Sequence, residues 1–245
     1  MRAAALLALM LLGAAPAPKG EVLIFSHTTG YRHDSIPAGV AALTSIAKHQ
    51  GFAVRTSEDP AVFSETGLQR ARAIVFLSST TDPKDPASEW LVGGRRAALQ
   101  TFVRSGGGVL AVHAAADSHY GWPWYARLIG GRFARHPPGT PRGELTLADR
   151  SHPAIAGMPA TISRSDEWYE FADHDPTSDL LVTLDPASIG EDDVNPNPIS
   201  WVRQVDGGRV FYTAMGHTAE SYSDPYVLRH LQNGLAWVTR RQRPS

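Results

Sequence analysis

Cysteine is absent from the 245 residues, and with it go disulfides, thiolate metal ligands, a cysteine nucleophile and any lipidated cysteine. Chemistry in this chain must use His, Asp, Glu, Ser or Tyr. An excess of either charge is missing too. With 23 Lys and Arg against 24 Asp and Glu, the net charge is −1 and the pI near 6.8. There is thus no broad cationic field to draw in phosphate backbones or anionic lipid, and nucleic acid is not an expected partner. A phosphate-cradling loop is also lacking. The run Gly106 to Gly108 precedes an apolar stretch instead of joining strand to helix, and has neither G-x-G-x-x-G spacing nor a P-loop lysine, so no nucleotide cofactor is implied. The apolar run in "MRAAALLALMLLGAAPAPKG" is short for a bilayer. It follows one Arg and ends in Ala15-Pro16-Ala17, an A-x-A cleavage pattern. We read residues 1–17 as a signal peptide cut after Ala17, delivering a periplasmic or secreted protein with no membrane span after cleavage; an uncleaved anchor is the alternative.

What is present points to one domain over residues 20–243: 42% of residues are hydrophobic, enough for one sizeable core. "EVLIFS", "AIVFLSS" and "VLAVH" are apolar runs without helical period, as expected of buried parallel strands. Ile36, Val40, Leu43 and Ile46 recur at helical spacing before Gly51. A helix is expected over Trp90 to Arg104, stopped by the glycine run. "GELTLAD" and "LLVTLD" read as strands, and "PISWVRQVDGGRVFYTAMG" as a hairpin turning at Asp206-Gly207-Gly208. A closing helix begins at Pro225 and carries Val227, Leu228, Leu231, Leu235 and Val238. "GEDDVNPNP" reads as a surface loop. The rhythm predicts an α/β fold, a mostly parallel sheet with helices on both faces.

In such sheets ligands sit outside the carboxyl ends of the strands. Three strand-exit loops carry histidine. The first holds Tyr31, Arg32, His33 and Asp34; the second His113, Asp117 and His119; the third His217, Glu220 and Tyr222. Asp166, Glu167, Trp168 and Tyr169 lie in the acidic-aromatic "SDEWYEF", and Trp124 follows the second exit. Of the other histidines, His49, His174 and His230 read as structural, while His136 and His152, each before proline, fit a turn as well as a function.

Together "YRHDSIPAG", "GGGVLAVHAAADS", "SHPAIAGMP", "DEWYEF", "PISWVR" and "GRVFYTAMGHTAESYSDP" resemble the ThuA-like, or trehalose-utilisation, family from Glu21 to about Arg240. The resemblance implies a class I glutamine amidotransferase-like fold, a flavodoxin-like three-layer sandwich, and a place in carbohydrate catabolism, including trehalose and 3-keto-sugar pathways. It also puts His113 where amidotransferases carry their cysteine and His217 where they carry their catalytic histidine. Without a thiolate no glutaminase acyl-enzyme forms, so the chain is not a glutamine amidotransferase.

His33, His113, His217, Glu167 and Asp117 are therefore the expected catalytic groups, working as general acids and bases. His33, His113 and His217, with Glu167 as a carboxylate candidate, are also the expected ligands if a divalent metal such as zinc is bound. Tyr31, Arg32, Asp34, Asp166, Tyr169, Trp124 and Tyr222 are the expected substrate-binding groups, rings stacking on sugar faces and charged groups taking hydroxyls. The expected partner is a small carbohydrate. The activity is expected to be hydrolysis, elimination or isomerisation of a keto-sugar or glycoside, the alternative being a non-catalytic carbohydrate-binding protein.

Overall fold

The computed structural model describes residues 17–192 and 197–240. Of the expected signal peptide, residues 1–17, all but the last residue lie outside the described residues, as does the middle of the "GEDDVNPNP" loop. No helix among the described residues is long and apolar enough to cross a membrane.

Five strands form a parallel half-sheet: β1 (Glu21–Phe25), β2 (Ala53–Ser57), β3 (Ala71–Leu77), β4 (Gly108–Val112) and β11 (Gly208–Thr213), in the order β2-β1-β3-β4-β11. This is the strand order of a flavodoxin-like sheet. Every residue of β4 is buried, as are four of the five in β1, because helices cover both faces. Helices α1 (Ile36–His49) and α5 (Pro225–Val238) pack together on one face. The other face carries the short α2 (Glu65–Leu68), α3 (Gly94–Arg104) and α4 (Pro123–Ile129). Alternation along β11 shows both faces at once: Phe211 meets α5 at Gly234, while Tyr212 turns the other way and stacks on Trp201.

Beyond β11 the sheet continues as an antiparallel wing. It is built of β10 (Asn197–Val205), β9 (Asp179–Asp185), β6 (Arg142–Leu147) and β7 (Thr161–Ser165), in that order. Strand β6 alternates exposed and buried along its whole length, the pattern of a sheet with one solvated face. A separate two-stranded ribbon pairs β5 (Arg132–Arg135) with β8 (Glu170–Ala172). Its job is positional: β7 and β8 bracket the acidic-aromatic segment containing Glu167.

Two expectations change in detail. The helix expected from Trp90 starts only at Gly94, because Gly93 adopts φ +55° and breaks the pattern, while Trp90 drops into the core, 4% exposed. Trp124, expected just past the second exit, instead lies in the first turn of α4 behind Pro123, and it is buried together with its neighbours Trp122 and Tyr125.

Candidate functional site

The site is assembled where β1, β4 and β11 end. His113 is the first residue after β4 and takes φ +50°, a left-handed backbone uncommon for a side chain larger than glycine. That sharp turn sends its ring inward, fully buried. Its Nδ1–H donates to the Ala214 carbonyl at 2.6 Å, and because a carbonyl can only accept, a neutral His113 presents the lone pair of Nε2 to its surroundings. The hydroxyl of Tyr212 donates to the His113 carbonyl, and the Tyr169 ring lies 4.3 Å from the imidazole.

His33 arrives from the loop after β1. That loop is tied to β3's exit by Thr80, whose hydroxyl donates to the Tyr31 carbonyl, and to β11's exit by Ser35, whose hydroxyl donates to the Gly216 carbonyl. His217 arrives from β11's exit loop. The Nε2 atoms of His33 and His113 are 3.1 Å apart, and His113 Nε2 lies 3.3 Å from His217 Nδ1. Glu167 closes the group: its Oε2 is 3.4 Å from His113 Nε2 and 3.2 Å from His217 Nδ1. One donor atom from each of the four residues lies within 4.8 Å of all the others, so the set could hold a metal ion. Glu167 Oε1 faces His136 Nε2 at 3.3 Å.

The electrostatics follow from this crowding. Burial pushes the Glu167 carboxyl up, but the bonds that His113 and His217 donate to it when protonated outweigh that and hold the group well below the usual carboxylate range. The same bond to Glu167 raises His217 against its own burial. Burial, reinforced by the neighbouring His113 and His217, lowers His33 to about 3. Asp117, four residues past His113, is raised by burial and accepts a hydrogen bond from the Tyr120 hydroxyl.

Solvent reaches the group through a cleft of about 290 Å³, lined by Tyr31, Asp34, Thr218 and Glu220 with His33 and His217. That is close to the lower end of small-molecule sites, about 300 Å³. Tyr31 is 65% exposed and stands edge-on to His33, with ring centroids 4.8 Å apart. A larger hollow of about 1070 Å³ lies between α2 and α3, but none of the ten histidines lines it.

The structure therefore brings His33, His113, His217 and Glu167 together, sets Asp117 and Tyr169 beside them, and puts Tyr31 and Asp34 at the mouth. Four expected binding groups stand elsewhere. Trp124 bonds through Nε1 to Asp206, in the turn before β11; the length of that strand, about 20 Å at ~3.3 Å per residue, separates it from His217. Arg32 is committed to Glu58, at 2.8 Å. Tyr222 is buried beneath the site against Gly39 and Gly216. Asp166 is fully buried, and its carboxylate accepts from the backbone N–H groups of Glu167, Gly216 and His217, the Ser221 hydroxyl and Arg164. No oxygen is left for a ligand: it clamps the two loops that deliver Glu167 and His217.

The histidines before proline divide. His152 caps its own turn, accepting from the Ala154 N–H, whereas His136 reaches Glu167. Nothing local in the sequence distinguishes them. Tyr120 and Arg164 were not singled out either; for Tyr120 the three-residue spacing from Asp117 was an available signal.

Compared with known proteins, residues 21–238 match the model of the ThuA family, described as trehalose utilisation. Among solved structures, a ThuA-like protein from Bacteroides uniformis superposes with a TM-score of 0.73 at 23% identity, covering 91% of this chain and 93% of that one. A ThuA-like protein from Parabacteroides merdae gives 0.69 at 19% identity, with 91% and 90% covered. A β-galactosidase from Bacillus circulans gives 0.56 at 14% identity, covering 90% of this chain but 30% of the enzyme. At these identities the likeness is one of fold. No curated protein matches in sequence.

Proposed function

Since the chain belongs to the ThuA, or trehalose-utilisation, family over residues 21–238, we propose that it is an exported enzyme of carbohydrate catabolism acting on a keto-sugar or a glycoside of one. The observation that carries this reading is the convergence of His33, His113, His217 and Glu167 at the end of an open cleft. Acceptors and cations held this close in a largely buried place are costly to assemble for structure alone.

The chemistry suited to such a centre is proton transfer next to a carbonyl. A ring ketone acidifies the neighbouring C–H. The Asp117 carboxylate, made more basic by burial, takes that proton; the C–H electron pair forms the C=C bond of an enolate, and the carbonyl π pair moves onto oxygen. His217, whose proton Glu167 helps to hold, donates to and stabilises that oxygen. Collapse of the enolate expels a glycosidic oxygen from the next carbon, or returns the proton on another face. Tyr31, exposed at the mouth, offers a flat ring for a sugar face.

Turnover assays on purified protein, with oxidised and unoxidised disaccharides side by side, test the reading. Loss of the glycosidic bond in the oxidised sugar alone, diminished at least about 10²-fold in Asp117→Asn, is the expected result. Saturable sugar binding without turnover would instead make this a carbohydrate-binding protein.

A further inference from the structure

From the four facing donor atoms, we infer that His33, His113, His217 and Glu167 form a binding site for one divalent transition metal of the zinc class. The site is the one discussed above, but the inference needs no sugar and stands or falls without one.

Distance is the first argument. A tetrahedral zinc with ligand bonds of about 2.0–2.1 Å has ligand atoms about 3.3–3.4 Å from one another, since the edge of a tetrahedron is about 1.6 times its centre-to-corner length. The four closest separations here are 3.1, 3.2, 3.3 and 3.4 Å. The remaining two separations, from His33 to His217 and to Glu167, stay within 4.8 Å, so the four atoms form one group and not two separate pairs.

Lone-pair bookkeeping is the second. His113 Nδ1–H is used on the Ala214 carbonyl, so Nε2 of the neutral ring is an acceptor, and it faces an acceptor, Glu167 Oε2, at 3.4 Å. His33 engages its neighbours only through Nε2, its Nδ1 being buried with no partner. A single bridging proton can satisfy one such pair, whereas one central cation satisfies all four atoms.

The supports around the ligands make the third. A metal-bound histidine ordinarily donates its other N–H to a carbonyl or carboxylate, which fixes ring and tautomer. His113 does so through Ala214. The free oxygen of Glu167 is engaged by His136, and Asp166 fixes the backbone of both Glu167 and His217. The ligands are thus held in place before any ion arrives.

Donor chemistry narrows the ion. Three imidazoles and one carboxylate suit zinc, cobalt, nickel or iron(II), and disfavour calcium and magnesium, which take oxygen. Because the His217 side chain is 24% exposed on the cleft side, a substrate oxygen can reach the ion, which when bound supplies Lewis-acid polarisation of a carbonyl.

The test is substrate-free. Full-length protein is stripped with chelator, titrated with zinc and with cobalt(II), and followed by elemental analysis, calorimetry and melting temperature. Expected are one ion per chain, a rise in melting temperature on zinc addition, and visible cobalt bands of a four- or five-coordinate nitrogen–oxygen site. His113→Asn is the informative variant: asparagine tolerates the left-handed backbone, and its amide nitrogen stands near the position of Nδ1, so it keeps the bond to Ala214 while deleting Nε2. It should fold and bind zinc at least about 100-fold more weakly. His217→Ala, at the solvent side, should do the same, and His49→Ala, on the exposed face of α1, should change nothing. A folded wild type that takes up none of zinc, cobalt, nickel or iron(II) overturns the inference, as does uptake that survives intact in both ligand variants.

Discussion

At His113 two demands meet, a ring fully buried and a backbone at φ +50°. Removing the ring in His113→Ala orphans the Ala214 carbonyl at a cost of about 1–3 kcal/mol and leaves a void as well. We predict that urea unfolding of His113→Ala shows a loss in that range, alongside at least about a 10²-fold fall in sugar turnover per folded molecule. Turnover unchanged in the folded fraction would reduce His113 to a brace. Asp166 behaves differently. Its Arg164 partner is 7% exposed at the side chain and sits 2.5 Å away, so Asp166→Ala strands a buried charge and three backbone N–H groups. A loss of about 3–5 kcal/mol is expected, read from the denaturation midpoint. A near-neutral result would show that Asp224, the other carboxylate on Arg164, carries the pair alone.

Among the elements, α5 is the most revealing because one glycine decides how close it sits. Gly234 lies mid-helix, where replacement by alanine ordinarily gains about 1 kcal/mol. A Cβ there would stand 2.8–2.9 Å from three atoms of the Phe211 ring, which is fully buried in β11 and hemmed in by its own sheet. Overpacking costs about 1–3 kcal/mol, so the net effect of Gly234→Ala is a lower melting temperature despite the better helix former. A higher one would mean that α5 can move outward at no cost. The same close approach brings α5 onto β4 and β11, the strands that deliver His113 and His217, so the variant also tests whether helix packing sets the site's spacing.

For the whole molecule, acid is the sharpest probe. Burial lowers His119 and His230 to about 3, from an ordinary value of 6.5. Between those limits the unfolded chain binds protons that the folded chain refuses, so stability falls as pH drops from about 6.5 towards 3 and is unaffected by these two groups above that window. Asp117, raised by burial, opposes the trend lower in the range, where the folded state holds its proton more tightly. Urea midpoints at pH 7.5, 5.5 and 4.5 should decline in that order, and His230→Gln should flatten part of the slope. Flat midpoints would show that the buried imidazoles find proton-accepting partners or water on protonation. Processing is a separate test: on the export reading, protein expressed from the full sequence should start near Pro18 outside the inner membrane, and full-length protein confined to the cytosol would end that reading.

What the sequence determined by itself is the part governed by local rules. Long apolar runs with polar exits marked β1, β3 and β4, because a parallel strand buried on both faces cannot alternate. The exits in turn located His33, His113 and His217. The short β5, β7 and β8 carried no comparable signal, since three to five mixed residues at a sheet edge or in a two-stranded ribbon obey no strong pattern. Tertiary structure alone decided which neighbours do what. Asp166 and Glu167 are adjacent and chemically alike, yet one is spent on backbone N–H groups of a loop some 50 residues away while the other enters the histidine cluster. For the same reason Trp124 bonds to Asp206 away from the cluster while His136 reaches Glu167. His113 lies 80 residues from His33 and 104 from His217 in the chain; the strand order β1-β3-β4-β11 brings both within hydrogen-bonding distance of it. Non-local pairing fixes that order, and no window of local sequence contains it.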